Sequence, residues 1–262
     1  MNAPASPTLP SGDQGSAEEE PAVRNEDLFS ALVLPISKFG PGNGDQPEPI
    51  AAVGTGFTFG EQTFVTCWHC VRDPLSDGEF YAAVARSEGT DIQNYDTYFR
   101  LQDLERDANG SDLALARIGY TVPTRLMLAS DPPGWGDDVM ACGYPLPLNT
   151  RDFATRQPKI NMNAMLFKGY VVRIRIADFP GQPETRMYEL DMPAPPGLSG
   201  SPVFRAGSRD VVGVVVTERG YGIPGEDRMI YLAYAHHLWV LRAARGAATT
   251  NIPLYEFLAR AS

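Results

Sequence analysis

The feature that most constrains the fold is a succession of short apolar or alternating segments separated by turn residues. Roughly eleven such segments lie between residues 30 and 235, among them TFVTCW, DLALARI and DVVGVVVTE. Helical patterns are limited to a turn near HCVRDPL and to the C-terminal residues 236–262. Many short strands without alternating long helices favour an all-β sandwich or a pair of β-barrels over a βαβ sheet.

Residues 1–26 differ from the remainder of the chain. They are rich in Pro, Ser, Ala and Glu and show no hydrophobic periodicity. Such a segment cannot bury enough apolar surface to offset its ordering entropy, so the sequence predicts a disordered acidic tail. Folding is expected to begin near residue 27 and to include the chain to residue 262.

The overall charge and the cysteine content exclude several classes of protein. The formal net charge is −10, which argues against a surface that follows nucleic-acid phosphates. Three cysteines are too few for a disulfide scaffold and favour a reducing compartment. The N-terminus lacks the basic and apolar regions of a signal peptide, and no apolar run is long enough to span a bilayer. We therefore expect a cytoplasmic protein without nucleic-acid or membrane partners.

Polar residues with chemical potential occur at three places where a strand-like run meets a turn. His69 lies in FVTCWHCV, Asp112 opens SDLALARI, and Ser199 lies in PPGLSGSPVF. Each alone has an ordinary structural explanation. Together they supply an imidazole base, a carboxylate to orient it and a hydroxyl nucleophile, which is the composition of a hydrolytic triad.

Cofactor and metal motifs are incomplete. Gly54-Thr55-Gly56 is not followed by a βαβ unit, so it does not indicate dinucleotide binding. Cys67, His69 and Cys70, with Cys142 as a conceivable fourth ligand, lack the second paired motif of a usual zinc site. His236-His237 is better explained by helix capping or a surface position than by metal binding. We expect no metal and no cofactor.

The order of these motifs resembles that of the trypsin-like (chymotrypsin-fold) serine proteases, in particular their bacterial HtrA-like and intracellular branch. The similarity extends from about Val53 to Tyr234. GTGFTF with FVTCWHCV is similar to the family's histidine region and SDLALARI to its aspartate strand. VMACGYPL and YELDMPAPPGLSGSPVF resemble its G-Y-P segment and its serine loop.

The resemblance implies a catalytic role for each of the three polar residues. Ser199 would be the nucleophile, His69 the general base and Asp112 the carboxylate that fixes the imidazole tautomer, with Ser201 a small structural residue. The backbone N–H groups of Gly197 and Ser199 would form the oxyanion hole. Two rival carboxylates, Asp103 and Asp107, do not open the strand directly and are interpreted as solvated loop acids.

The resemblance also implies a fold and a substrate site. It predicts two six-stranded antiparallel β-barrels, at residues 27–135 and 136–235, followed by a C-terminal helical segment at residues 236–262. Pro193, Val216, Thr217 and Glu218 would contact an extended peptide, and Glu218 could attract a basic side chain. Too little chain follows residue 240 for a PDZ module.

Two departures from the secreted members of the family are informative. Leu198 replaces the aspartate that pairs with a newly freed N-terminus, so activation by that switch is not expected. Cys70 occupies the position of a disulfide-bonded cysteine, but the expected partner strand offers Phe57 and no cysteine. The missing partner for Cys70 favours a reduced, cytosolic variant.

The function that this resemblance implies is that of a serine endopeptidase acting on protein or peptide substrates. Two alternatives stay open: a catalytically silent protease fold that binds peptides, and a latent protease released by a regulatory protein partner or by removal of the acidic tail.

Overall fold

The computed structural model describes residues 29, 31–42, 46–59, 62–85, 97–120, 126–145, 148–151, 158–177 and 183–261; the tail predicted for residues 1–26 lies outside them. Strands dominate the described residues. They are β1 (Val33–Gly40), β2 (Glu48–Phe59), β3 (Thr63–Cys67), β4 (Phe80–Ala85), β5 (Thr97–Arg100), β6 (Gln102–Arg106), β7 (Leu113–Arg117), β8 (Met127–Leu128), β9 (Asp138–Gly143), β10 (Leu148–Arg151), β11 (Pro158–Asn161), β12 (Met165–Ala177), β13 (Thr185–Leu190), β14 (Pro202–Arg205), β15 (Asp210–Gly222) and β16 (Met229–His237). The helices are α1 (Trp68–Val71), α2 (Leu238–Ala243) and α3 (Leu254–Ala261), with a 3-10 turn at Ala247–Thr249.

The first sheet has the strand order β5-β4-β1-β2-β3-β7-β6, with antiparallel neighbours. Its two edge strands, β5 and β6, are separated in sequence only by Leu101. The Leu101 N–H donates to the carbonyl of Tyr81 on β4 at 3.0 Å. Together β5 and β6 therefore act as one interrupted strand that joins β4 to β7 and closes a barrel of six strands.

The second sheet follows the order β14-β9-β12-β13-β16-β15, and a further pairing between β14 and β15 closes it into six antiparallel strands. The short strand β8 adds to β15 in parallel. The predicted pair of antiparallel barrels is thus confirmed. The prediction assigned residues 127–128 to the first barrel, whereas β8 pairs with the second.

Strands β2 and β3 lie between the interior of the first barrel and the second barrel. Phe57, Phe59 and Phe64 are fully buried, and every residue of β3 is buried. Because β3 is covered on both faces, all five side chains of TFVTC are buried, the two threonines included. One apolar cluster contains residues of both barrels, among them Leu113 and Val214. The end of β3 is therefore fixed at the barrel interface.

A carboxylate buried in the second barrel binds four polar side chains. Glu189 on β13 is fully buried. Its Oε1 accepts hydrogen bonds from the Tyr234 and Tyr221 hydroxyls and from Arg175, and its Oε2 lies 2.6 Å from Arg173 Nε. Burial alone would raise the pKa of Glu189, but these partners hold it at about 2. The pKa is thus depressed below the ordinary 4.5.

Replacing this carboxylate should destabilise the protein in a way that depends on pH. A depressed acid pKa stabilises the fold above the unfolded pKa, and this stabilisation is lost as pH falls from about 4.5 toward 2. We expect Glu189→Gln to lower the free energy of unfolding by about 3 kcal/mol at neutral pH. Urea denaturation between pH 2 and 7 measures the loss of unfolding free energy. It also shows whether the stability of the variant depends less on pH in the acid range. The exposed Glu226→Gln is the control, and equal effects of the two substitutions would contradict this account.

The C-terminal helices begin where β16 ends. His237 caps α2, since its Nδ1 accepts from the N–H of Trp239 at 3.2 Å. His236 is fully buried, so a surface position, one of the two roles expected for the His236-His237 pair, is wrong for this residue. In the described part of the chain, no helix has the length and apolar character needed to cross a membrane.

Candidate active site

His69 lies on a turn that the end of a buried strand holds in place. Strand β3 ends at Cys67, which has extended backbone angles and is the N-cap of the four-residue helix α1. The side chain of His69, two residues later, is 34% exposed. The change from strand to helix therefore turns the imidazole out of the core while its backbone stays fixed.

The pairing of β3 with β7 brings Asp112 next to His69. Cys67 pairs with Leu113, so Asp112, one residue before Leu113, faces the first residues of α1. Asp112 Oδ2 lies 2.6 Å from His69 Nδ1, and Oδ1 accepts the His69 backbone N–H at 3.0 Å. The Asp112 carbonyl accepts from Trp68 N–H at 3.0 Å. Because an ionised carboxylate only accepts, this contact places a proton on Nδ1 and leaves Nε2 free as a base.

The surroundings of His69 change its basicity. Partial burial lowers the pKa of the imidazole, but the hydrogen bond to Asp112 and the neighbouring Cys70 outweigh burial. The net result is a pKa raised above the ordinary 6.5. His69 is therefore a stronger base than a free histidine.

The two rival carboxylates lie elsewhere. Asp103 is on the surface, 3.5 Å from Arg117. Asp107 is buried and accepts hydrogen bonds from the Ser111 hydroxyl and from the backbone N–H of Asn109 and Arg245. The interpretation of Asp107 as a solvated acid is wrong, because its side chain is buried. The hydrogen bond from Arg245 N–H connects the first barrel to the C-terminal segment.

Ser199 lies in a loop whose shape depends on two glycines with left-handed backbone angles. Gly197 has φ +95° and Gly200 has φ +86°. A Cβ on Gly200 would lie 2.0 Å from the carbonyl oxygen of Thr55. Glycine at this position thus lets the serine loop contact the first barrel directly.

Hydrogen bonds from both barrels hold the loop on either side of Ser199. The Ser199 carbonyl accepts from Thr55 N–H at 2.9 Å, and Gly200 N–H donates to Val215 at 2.8 Å. The Ser199 hydroxyl donates to the carbonyl of Val216 at 2.9 Å. Within the described residues it makes no hydrogen bond to His69. The candidate nucleophile and the candidate base thus line the same site without a hydrogen bond between them.

The backbone N–H groups of Gly197 and Ser199 make no hydrogen bond within the described part of the chain, unlike those of Leu198 and Gly200. Free N–H groups on either side of a serine hydroxyl are the donors that an oxyanion hole requires. Their assignment to that role stays a prediction.

A cavity of about 420 Å³ joins the three triad candidates to the proposed substrate strand. It is lined by His69, Arg72, Asp112, Ser199, Val216, Thr217, Glu218 and Arg219. Glu218 Oε1 accepts from the backbone N–H of Ala194 at 2.8 Å, so its carboxylate reaches toward the segment before the serine. Pro193, in that segment, is exposed and is not among the lining residues.

Thr55, for which the sequence predicted no positioning role, holds the serine loop in place. Its hydroxyl donates to the Gly197 carbonyl at 2.8 Å and accepts from Tyr144 N–H at 3.0 Å. Thr66 in turn donates to the carbonyl of Thr55 at 2.7 Å. The sequence shows only threonines within largely apolar segments, and such a pattern does not identify a partner more than a hundred residues away.

Removing the Thr55 hydroxyl should weaken the fold and the site together. Thr55→Val leaves Tyr144 N–H and the Gly197 carbonyl without their partner, and we expect a loss of about 2 kcal/mol in unfolding free energy. Thr55→Ser keeps the hydroxyl and should lose less. Urea denaturation of the three proteins measures the difference. A Thr55→Val protein as stable as the parent would contradict this role.

The residue that faces Cys70 is not the one expected from the sequence. Its Sγ lies 3.7 Å from the carbonyl oxygen of Ser199, and a Cβ on Gly54 would lie 2.6 Å from that sulfur. Gly54, rather than Phe57, therefore faces Cys70 across the strand. Cys67, Cys70 and Cys142 are all free and buried.

Comparisons with known proteins agree with this architecture. A family model described as a trypsin-like peptidase domain matches residues 54–214. A comparison with curated proteins finds no match. The fold is similar to that of the active form of the Rv3671c protease from M. tuberculosis, with 19% identity, 89% of each chain covered and a TM-score of 0.52.

A second similar structure is the HtrA-type protease AlgW with a decapeptide, with 15% identity and a TM-score of 0.55. That match covers 80% of this chain and 62% of the AlgW chain. At these identities the two structures establish the fold alone. The family model, in contrast, spans more than half of the sequence and includes His69, Asp112 and Ser199. The chain belongs to the trypsin-like peptidase family.

Proposed function

We propose that the protein is a serine endopeptidase that cleaves protein or peptide substrates through an acyl-enzyme intermediate. The observation that carries this proposal is the His69–Asp112 pair, 2.6 Å apart, in one cavity with Ser199. A serine hydroxyl is too weak an acid to attack a peptide carbonyl unaided, so it needs a base within hydrogen-bond reach. His69 Nε2 is that base.

Each residue has a defined part in the proposed reaction. Ser199 Oγ attacks the substrate carbonyl as its proton passes to His69 Nε2, and Asp112 stabilises the imidazolium that forms. The N–H groups of Gly197 and Ser199 donate to the oxyanion. His69 then protonates the leaving amine. Water, activated by the same imidazole, releases the acyl group from Ser199.

Because the Ser199 hydroxyl donates to the Val216 carbonyl, substrate binding can change the position of this hydroxyl. An extended peptide that pairs with β15 places a backbone N–H near the carbonyl of Val216, as in β-strand addition. That N–H competes with the Ser199 hydroxyl for the same oxygen. The hydroxyl is then free to rotate toward His69, so substrate binding and formation of the Ser199–His69 hydrogen bond are coupled.

Val216, Thr217 and Glu218 are the proposed contacts for the peptide, with Pro193 at the outer rim. One carboxylate oxygen of Glu218 accepts a hydrogen bond from Ala194 N–H, and the other can bind a basic or polar substrate group. Since the three cysteines are free, we also propose that the protein acts in a reducing, cytoplasmic environment. Neither a nucleic acid nor a membrane is needed as a partner.

The pH dependence of kcat/KM should follow the ionisation of His69. Only the neutral imidazole accepts the serine proton, and its pKa in the free enzyme is raised. Activity should therefore rise with pH along a limb whose midpoint lies above 6.5. Initial rates with a fluorogenic peptide measure this limb. A midpoint below 6.5 would contradict the proposed His69–Asp112 contact.

A fluorophosphonate probe tests the proposed chemistry without knowledge of the substrate. It should label the protein on Ser199, and peptide mapping identifies the site. Ser199→Ala should not be labelled, while Ser201→Ala should be labelled like the parent. Labelling of Ser199→Ala to the same extent would overturn the assignment of the nucleophile.

The second candidate is a silent or partner-activated protease fold, and the serine hydroxyl bound to Val216 instead of His69 favours it. A folded protein that stays unlabelled by the probe, alone and after removal of residues 1–26, would support this candidate over an active enzyme. Labelling that appears only after the truncation would identify the acidic tail as the inhibitor.

A further inference from the structure

Three potential metal ligands of different chemistry lie close together, and one of them is His69, the proposed base. The Sγ of Cys67, a ring nitrogen of His69 and a carboxylate oxygen of Asp112 all lie within 4.8 Å of one another. The sequence motif Cys67-x-His69-Cys70 lacked a second pair of ligands. The fold supplies a ligand that the motif does not contain, because the pairing of Cys67 with Leu113 brings Asp112 to the same place.

The donor set fits one class of cation. Thiolate, imidazole and carboxylate are the ligands of Zn²⁺, and three protein ligands with an open fourth position are a common zinc arrangement. A Cys67 thiolate and the Asp112 carboxylate carry two negative charges, which a divalent cation balances. A neutral cluster is favoured at this place because Cys67 and Asp112 are buried.

The geometry permits an ion after a small opening. His69 Nδ1 and Asp112 Oδ2 lie 2.6 Å apart, whereas tetrahedral ligands about 2.0–2.1 Å from zinc are about 3.3 Å from each other. His69 is the member that can move, since its side chain is 34% exposed and borders the cavity. His69 and Asp112 both line that cavity, and the fully buried Cys67 lies behind them.

We propose that Cys67, His69 and Asp112 form an inhibitory site for Zn²⁺ or a similar thiophilic divalent cation. The ion binds the Cys67 sulfur and releases the thiol proton to water. It binds His69 Nδ1, whose proton moves to Nε2, and the His69–Asp112 hydrogen bond is replaced by two metal–ligand bonds. With Nε2 protonated, His69 no longer accepts a proton from Ser199. The inhibition rests on the proposed protease function, whereas metal binding at the site does not.

Binding of Co²⁺ to the tag-free Ser199→Ala protein tests the site without any activity. One equivalent should produce the ultraviolet absorption of a cobalt–thiolate bond, and Zn²⁺ should remove it by displacement. Cys67→Ser, in the same background, keeps a donor of similar shape for the Val215 carbonyl and should abolish the absorption. Cys142→Ser is the matched control, because Cys142 is also buried and free but is not in the cluster. It should bind as the parent does.

His69→Ala provides a second variant if Cys67→Ser does not fold, since His69 is partly exposed. It should weaken cobalt binding at least about tenfold, the least that loss of even an outer partner usually costs. The absence of thiolate absorption in the parent, or its loss only in Cys142→Ser, would overturn the proposal. Inhibition of the active enzyme by Zn²⁺, with a midpoint concentration equal to that of Zn²⁺ binding, would support the inhibitory role of the site. If the enzyme proves silent, the cobalt titration still decides the site.

Discussion

Asp112→Asn should lower kcat/KM about 10⁴-fold while the protein stays folded, which is the size of effect that this change has in serine proteases of this type. The asparagine amide can donate to Nδ1, which favours the tautomer with the proton on Nε2. That nitrogen then cannot accept the Ser199 proton. The contact of Asp112 Oδ1 with the His69 backbone N–H can be kept by the amide oxygen, so the turn should hold its shape.

Turnover of a fluorogenic peptide and urea denaturation of both proteins measure these two outcomes. Asp107→Asn is the matched control, because Asp107 is equally buried but binds Ser111 and Arg245 instead of the imidazole. It should reduce stability and leave kcat/KM within about tenfold of the parent. A loss smaller than tenfold for Asp112→Asn would mean that another carboxylate orients His69.

Gly200→Ala should damage the site through its backbone. The added Cβ would lie 2.0 Å from the carbonyl oxygen of Thr55 and 2.4 Å from Thr66 Oγ1, at a φ of +86° that L-residues rarely adopt. The loop must then move away from the first barrel and shift Ser199 relative to His69. Because a misplacement of about 1 Å can cost about 10²-fold in rate, we expect at least that loss in kcat/KM.

Gly207→Ala separates the steric effect from the conformational one. Gly207 also has a left-handed backbone, with φ +76°, but a Cβ there would meet no atom within 4 Å. This variant should lose only the strain of an alanine in that region, about 1–2 kcal/mol, and should keep its activity. Thermal unfolding and kcat/KM distinguish the two substitutions. Equal activity of both variants would show that close contact at Gly200 does not position Ser199.

The arrangement of Ser199 has a consequence for any measurement of activity. Its hydroxyl donates to Val216, a residue of the strand proposed to bind the peptide, so a small ester and a long peptide need not report the same reactivity. Under the proposed mechanism the longer substrate pairs with β15 and competes for the Val216 carbonyl, whereas the small ester does not. A peptide series of increasing length should therefore show a rising kcat as well as a falling KM.

Much of the site was predictable because local sequence determines where strands end. His69, Asp112 and Ser199 each lie where a short apolar run meets a turn, and that placement marked them as candidates. The resemblance in motif order added the roles. Thr55 and Asp107 were missed or misinterpreted since their partners, Gly197 and Arg245, are more than a hundred residues away.

Side-chain periodicity and turn residues act over a few neighbours, so the sequence showed a strand-rich chain and three candidate triad residues. The choice of two barrels over a sandwich came from the resemblance in motif order. Only the tertiary structure decided what those candidates contact. The pairing of β3 with β7 joined His69 to Asp112 and brought Cys67 to the same place. The Ser199 hydroxyl donates to Val216 within the second barrel, while Thr55 N–H joins the serine loop to the first barrel. Both contacts depend on the packing of separate segments, which no local pattern encodes.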